Sequence, residues 1–212
     1  AVAIGTGAGS SNQGSNAIAL GQSAGYTSQG TDSIAMGRSA GSSNQGPIPP
    51  KPVWFPYPTE VWNEIYIDTD SIAIGTKAGE ISQSIGSIAM GPSAGNTSQS
   101  TDAIAMGNRA GTTSQGTLAI ALGKSAGAST QGFGAIALGF QASYSNQGDY
   151  AIALGYQVGQ DSQSAYAIAL GQYAGKTSQG SNAVALGQAA GNNNQGDFAV
   201  AMGYSAGKTS QG

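Results

Sequence analysis

Large apolar and small residues alternate in a five-residue block that recurs along the whole chain. The block reads Ala-Ile-Ala-Leu-Gly at residues 17–21, and identical or related blocks follow every sixteen residues with one interruption. Strict alternation is the period-two pattern of a β-strand whose two faces differ. A fixed and short period predicts an array of stacked units that share one core. We therefore number each repeat from the first residue of its block, as positions 1 to 16.

Twelve blocks define the repeat, and they begin at residues 1, 17, 33, 71, 87, 103, 119, 135, 151, 167, 183 and 199. Positions 2 and 4 are large and apolar, whereas positions 1 and 3 are Ala or Ser. Position 5 is always Gly, as at Gly21, Gly123 and Gly139, which suits a tight corner that needs positive φ. The variable positions 6 and 7 indicate a solvent-facing turn. A second short strand is predicted over positions 10 to 13, with another corner at position 14.

Position 13 is Gln in every copy, for example at Gln29, Gln131 and Gln147. In a solenoid these amides lie about 4.8 Å apart, which is the spacing of strands in a sheet. Side-chain amides at that spacing can form a hydrogen-bonded ladder. Recurrence in every turn favours this structural role over a row of ligand-binding amides, because stacking makes the same demand of each unit.

One insertion interrupts the repeat. Residues 1–46 hold repeats 1 to 3, residues 47–68 form the insertion, and residues 69–212 hold repeats 4 to 12 of the same continuous solenoid domain. The insertion contains six of the seven prolines and both tryptophans, and insertions in repeat arrays project as loops that often bind partners. The predicted partner-binding residues are Trp54, Phe55, Tyr57, Trp62 and Tyr66. The alternative is a flap that packs on the roll itself.

Composition narrows the possible functions. The chain has no Cys and no His, which removes disulfides, thiolate chemistry and the commonest general base and metal ligand. The net charge is −3 without a basic run, which argues against nucleic acid, and no apolar run is long enough to insert in a membrane. We expect no cofactor, no metal and no catalytic residue. The chain starts at Ala1 in phase with a repeat, so we interpret it as a segment or a processed product.

A single solenoid of this sequence has little to bury, since each turn offers only two large apolar side chains. We therefore expect the Ile/Leu face and the Ala face both to be buried, with the Ala face packed closely against another copy of the chain. A cyclic homo-oligomer is the simplest closed arrangement.

The block Ser-Ile-Ala-Ile-Gly at residues 71–75, followed by Ala78, resembles the head repeat of trimeric autotransporter adhesins, the YadA-like head. Related repeats are similar to those in fibre and spike proteins of phages and large DNA viruses. The resemblance implies a left-handed parallel β-roll with one repeat per turn and three chains around an axis. The usual repeat of the family is shorter, and the family has no catalytic residues to transfer.

The sequence therefore predicts an all-β fold, a parallel β-solenoid with one sixteen-residue repeat per turn, in a homotrimer. The predicted function is a non-enzymatic rod of a surface fibre, spike or adhesin on a virion or bacterial cell. Expected partners are the chain itself and a host-surface receptor, a glycan or a neighbouring fibre or capsid component.

Two alternatives remain open. An ice-binding solenoid needs a regular Thr array, and Thr recurs at position 11 with interruptions at Ile81, Asp161 and Asn193. A polysaccharide-binding or depolymerising fibre needs clustered carboxylates or a Tyr/Lys pair on one face. Aromatic residues cluster in the last third of the chain, at Tyr150, Tyr156, Tyr166, Tyr173, Phe198 and Tyr204. Asp32, Asp70 and Asp102 share position 16, where we expect them to cap corners.

Overall fold

The chain folds as a parallel β-solenoid in which each repeat forms one turn. The computed structural model describes residues 1–45 and 70–211, and these residues contain β-strands and turns but no helix. Each turn has a three-residue strand at positions 2 to 4 and, in most turns, a second at positions 11 to 13. The predicted all-β solenoid with one repeat per turn is confirmed. The second strand is one residue shorter than predicted.

The strands at positions 2 to 4 form one continuous twelve-stranded parallel sheet, which we call sheet A. Its strands are β1 (Val2–Ile4), β2 (Ile18–Leu20), β3 (Ile34–Met36), β5 (Ile72–Ile74), β7 (Ile88–Met90), β9 (Ile104–Met106), β11 (Ile120–Leu122), β12 (Ile136–Leu138), β14 (Ile152–Leu154), β16 (Ile168–Leu170), β18 (Val184–Leu186) and β20 (Val200–Met202). Equivalent positions pair, so that Ile120 lies beside Ile136. At about 4.8 Å per strand, sheet A is roughly 53 Å long.

The strands at positions 11 to 13 form sheet B, which is divided into a four-stranded and a five-stranded part. The first part contains β4 (Ser43–Gln45), β6 (Ile81–Gln83), β8 (Thr97–Gln99) and β10 (Thr113–Gln115). The second contains β13 (Ser145–Gln147), β15 (Asp161–Gln163), β17 (Thr177–Gln179), β19 (Asn193–Gln195) and β21 (Thr209–Gln211).

The roll is continuous across the insertion. Strand β3, which precedes residues 47–68, pairs directly with β5, which follows them, and Ile34 lies beside Ile72. Strands β4 and β6 pair in the same way in sheet B. Turn 3 therefore stacks on turn 4 in the same register as all the other neighbouring turns.

The break in sheet B lies at turn 7. Position 12 adopts a left-handed conformation in the neighbouring turns, with φ of 51° at Ser114 and 53° at Asn146. Thr130 occupies this position in turn 7 and does not have positive φ, and neither does Ser28 in turn 2, which also lacks the second strand. In turn 7 the strand is reduced to isolated bridges from Gln131 to Gln115 and Gln147. Loss of the left-handed conformation at position 12 therefore accompanies loss of the strand in both turns.

The small residues face the interior of the roll, and the large apolar residues face outward. Between the first and last turns, Ala residues at positions 1, 3 and 8 are completely buried, as shown by Ala135, Ala137 and Ala142, each 0% exposed. Ile136 and Leu138, at positions 2 and 4 of the same strand, are only half-buried. The prediction that the Ala face packs against another chain is therefore wrong. The methyl groups of Ala and the buried Gln amides fill the interior of each sixteen-residue turn, so the pleat directs Ile and Leu away from the interior.

Candidate functional site: the outer face of sheet A and its two corners

The Gln column holds the two sheets together inside the roll. Gln147 is 2% exposed, and its Nε2 donates hydrogen bonds to the Ile136 carbonyl at 2.8 Å and the Ala151 carbonyl at 3.0 Å. The same pair of bonds to carbonyl groups at position 2 of the turn and position 1 of the next recurs at Gln29 and Gln131. Each amide thus crosses the interior from sheet B to the backbone of sheet A.

The Gln amides also contact one another in part of the roll. Gln131, Gln147 and Gln163 each donate from Nε2 to the Oε1 of the next Gln at 3.2 Å. Ser143 occupies position 9, where every other turn has Gly, and its hydroxyl lies 3.0 Å from Gln163 Oε1. Six buried Oε1 atoms have no hydrogen-bond partner, those of Gln83, Gln99, Gln115, Gln131, Gln195 and Gln211. The bonds that cross the roll are therefore more regular than the predicted ladder.

The Gly residues at position 5 form a backbone column that leaves no room for a side chain. Gly21, Gly123 and Gly139 have φ of 125°, 127° and 129°. A Cβ on Gly21 would lie 2.8 Å from the carbonyl oxygen of Gly37, and a Cβ on Gly123 would lie 2.6 Å from that of Gly139. Positive φ and this close approach both require Gly at the corner.

The outer face of sheet A is a continuous apolar surface. In every turn, positions 2 and 4 carry Ile, Leu, Met or Val, so two unbroken apolar columns follow the whole sheet. Their side chains remain partly exposed in the single chain, with Leu122 at 38% and Leu154 at 43%. A contiguous apolar surface of this kind marks an interaction site.

Two corners border this face, one on each side of the strands of sheet A. We call positions 15 and 16, which precede each strand, the leading corner, and positions 6 and 7, which follow it, the trailing corner. In the first half of the roll, exposed carboxylates lie on the leading corner, at Asp32, Asp70 and Asp102. Exposed cations lie on the trailing corner, at Arg38, Lys77, Arg109 and Lys124.

In the second half of the roll, both corners carry aromatic rings that stack along the axis. On the leading corner, Tyr150 lies between Phe133 and Tyr166, with ring centroids 5.2 and 5.3 Å apart. On the trailing corner, Phe140 stacks on Tyr156 at 5.2 Å, and Tyr156 meets Tyr173 edge to face. Lys124 and Lys176 extend this second column, with Nζ 5.8 Å from the Phe140 ring and 5.2 Å from the Tyr173 ring.

Two of the four ring contacts are face to face. The planes of Tyr150 and Tyr166 differ by 13°, and those of Phe140 and Tyr156 by 16°. The other two contacts are edge to face, at 65° and 87°. Phe198 and Tyr204, which are 74% and 79% exposed, are not part of these contacts. The other aromatic residues of the predicted cluster form two columns, one on each corner.

The other predicted features are distributed as follows. The partner-binding residues Trp54, Phe55, Tyr57, Trp62 and Tyr66 lie outside the described residues. On sheet B, Thr97 pairs with Thr113, but the exposed Ile81 and Asp161 interrupt the Thr column.

Residues 1–45 and 70–211 contain no group of three or more acidic, His or Cys side chains that could hold a metal ion. They also contain no helix that is long and apolar enough to span a membrane.

Residues 131–157 match the YadA head domain repeat in two copies. The resemblance inferred from the repeat is thereby confirmed for this part of the chain. No curated protein and no solved structure matches the chain. The repeat and the solenoid together indicate a structural, adhesin-like domain.

Proposed function

We propose that the chain forms a homotrimeric rod of a surface fibre, spike or adhesin, on the exterior of a virion or a bacterial cell. Three copies associate through the outer face of sheet A, with their axes parallel, and hold a binding region at a distance from the surface. The role is mechanical and adhesive rather than enzymatic. The matched YadA head repeat and the stacked architecture support this proposal.

The observation that carries the proposal is the apolar outer face of sheet A. Every turn contributes two large apolar side chains to it, and none of the twelve turns has a charged or polar residue at positions 2 or 4. Covering this face removes these side chains from water, at about 25 cal/mol for each Å² of apolar surface. A closed ring of copies covers the face of each chain equally.

The insertion at residues 47–68 supplies a proposed contact beyond the rod itself. The strands on either side of it in sheet A, β3 and β5, pair directly with each other, so turns 3 and 4 stack without a contribution from it to sheet A. Its concentration of Trp, Phe and Tyr suits an interface, because these residues carry most of the energy in protein contacts. We propose that it binds a host-surface receptor, a glycan or a neighbouring fibre or capsid component.

The test replaces an outward residue of sheet A by a charged one. Sedimentation of the full chain should show a stable trimer. Leu138→Lys introduces a charge into the apolar face, and we expect it to weaken association by about 100-fold or more, since an unpaired charge is costly to bury. Ser145→Lys lies in the same repeat on sheet B and is the matched control, which should remain trimeric. A monomeric wild-type chain, or equal effects of the two variants, would contradict the proposal.

A further inference from the structure

The charged side chains of the roll are separated between its two edges. We call the trailing corner together with position 10 of each turn the trailing edge. All six cations of residues 1–45 and 70–211 lie on this edge, at Arg38, Lys77, Arg109, Lys124, Lys176 and Lys208. The opposite, leading corner carries five exposed carboxylates and no cation, at Asp32, Asp70, Asp102, Asp149 and Asp197. The net charge of −3 therefore conceals a rod with one basic and one acidic side.

Position 10 belongs to the trailing edge because its side chains lie over position 7 of the preceding turn. Asn96 Nδ2 donates a hydrogen bond to the Lys77 carbonyl at 3.0 Å, and Asn192 Nδ2 donates to the Tyr173 carbonyl at 2.9 Å. Lys176, also at position 10, places its Nζ 5.2 Å from the centre of the Tyr173 ring. The six cations therefore form one basic stripe along the roll, which extends from the trailing corner towards sheet B.

Most of the cations in the stripe have no acidic partner in the part of the chain that the structure describes. The one ion pair there joins Lys77 to Glu80, at 3.4 Å, and Glu80 is the one acid on the described trailing edge. The other five cations make no ion pair with residues 1–45 or 70–211. A row of cations on one side of a rod produces a positive potential that attracts an extended anion.

Aromatic rings and amides occupy the trailing edge between Lys124 in turn 7 and Lys176 in turn 10. The rings are those of the trailing column described above. Beside them, Gln157 Nε2 donates a hydrogen bond to Gln141 Oε1 at 2.6 Å, which leaves further donors and acceptors of both amides for a ligand. Amide groups and the hydroxyl of Tyr156 suit the hydroxyl groups of a sugar, and the ring edges suit its apolar C–H groups.

The spacing of the cations favours a sparsely charged polymer. They occupy turns 3, 4, 6, 7, 10 and 12, so the stripe is roughly 43 Å long, with about one cation per 9 Å. A nucleic-acid strand has a much higher charge density, with one phosphate per about 3.4 Å. An acidic polysaccharide with one anionic group in each disaccharide is closer to the stripe. The rings also contact one another, at 5.2 and 5.6 Å, which leaves no space for a base between them.

We propose that the trailing edge binds an acidic polysaccharide that lies along the roll. Its carboxylate or sulfate groups contact the cations of the stripe, and its sugar rings contact the aromatic rings and amides between Lys124 and Lys176. This site adds a ligand to the rod function proposed above. It is formed by the roll alone, so it is separate from the insertion and does not depend on the association of chains.

The test is calorimetric titration of the full chain with hyaluronan oligosaccharides, which carry one carboxylate in each disaccharide, and with chondroitin sulfate, which adds a sulfate. We expect binding that weakens by about tenfold or more between low and high salt, because ions screen exposed charges. Carboxyl-reduced hyaluronan keeps the sugar backbone and removes the charge. It is the control ligand and should bind at least about tenfold more weakly, since the cations then have no anionic partner.

A pair of variants locates the site on the trailing edge. Lys124→Gln/Lys176→Gln removes two cations of the stripe and should weaken hyaluronan binding by about tenfold or more. Thr113→Asp/Asn193→Asp lowers the net charge by the same two units on sheet B and is the matched control. Asp at residue 193 keeps the acceptor for the Thr177 hydroxyl, and we expect the affinity of this control to change by less than about threefold.

Each contrary result has a distinct meaning. Equal weakening by the two variants would show that net charge alone governs binding, which overturns the site. Absence of binding to both hyaluronan and chondroitin sulfate overturns the proposal, as does tighter binding of single-stranded DNA with the same number of charges. Deletion of residues 47–68 should leave hyaluronan affinity unchanged, and a loss would place the site on the insertion. Sedimentation of the same samples reports association separately, so the failure of one proposal is distinguished from the failure of the other.

Discussion

Gln147→Leu should destabilise the roll, because Gln147 is buried between the two sheets. The substitution keeps the volume and removes the bonds from Nε2 to the Ile136 and Ala151 carbonyls and to Gln163 Oε1. It also removes the acceptor of the bond from Gln131 Nε2. Four buried hydrogen bonds at a net of about 1 kcal/mol each give about 4 kcal/mol. The added apolar burial of Leu offsets about 1–2 kcal/mol of this loss.

We therefore expect a net loss of about 2–3 kcal/mol in the free energy of unfolding. The matched control is Gln172→Leu, because Gln172 is exposed on the trailing corner, where its side chain makes only a long contact of 3.4 Å with Gln188. Surface substitutions of this type change stability by less than about 0.5 kcal/mol. Urea unfolding followed by circular dichroism measures both variants at one protein concentration, because association contributes to apparent stability.

Equal stability of Gln147→Leu and Gln172→Leu would refute the reasoning, since the buried amide would then contribute no more than an exposed one. A gain in stability of Gln147→Leu would refute it more strongly. That result would mean that apolar packing across the interior outweighs the bonds to sheet A.

Two further predictions concern the corner glycines and the insertion. Gly139→Val should lower the free energy of unfolding by about 3 kcal/mol or more, because a β-branched residue resists φ of 129° and its Cβ would meet the carbonyl of Gly155. Gly203→Val is the control, since Gly203 has φ of 111° but no atom lies within 4 Å of the added Cβ, and it should be less destabilising. Equal melting temperatures for the two variants would exclude close approach as the cause. Deletion of residues 47–68 joins Gly46 to Thr69 in phase with the repeat. Circular dichroism and sedimentation should therefore show that the roll and its oligomer persist, while partner binding is lost. An unfolded product would show that the insertion belongs to the core.

Much of the architecture follows from the repeat alone. Alternation at residues 119–123 predicts the strand of turn 7, and invariant Gly and Gln predict a corner and an interior column. A period of two does not reveal which face of a strand is the inner one. That choice depends on the width of the closed turn, which leaves space for the methyl group of Ala121 but not for Ile120.

The division of sheet B was also beyond prediction from the pattern. Thr130 is an ordinary strand residue by propensity, and sheet B is interrupted there because position 12 of that turn does not have the left-handed φ of its neighbours. The positions of the two corners relative to the apolar face also could not be predicted from the repeat. Asp102 and Arg109 each look like an isolated surface charge until the structure shows that they border opposite edges of the same apolar face.

The interior of methyl groups and amides has a consequence for temperature. Exposure of apolar surface on unfolding raises the heat capacity, whereas exposure of polar surface lowers it. The core of this chain contains Ala and Gln and, as its largest aliphatic residue, Val158, so its unfolding has a small heat-capacity change for its length. The larger Ile, Leu and Met side chains lie between the proposed copies. The free energy of association of the chains should therefore depend on temperature with strong curvature. The free energy of unfolding of each separate roll should change only gradually on cooling or heating.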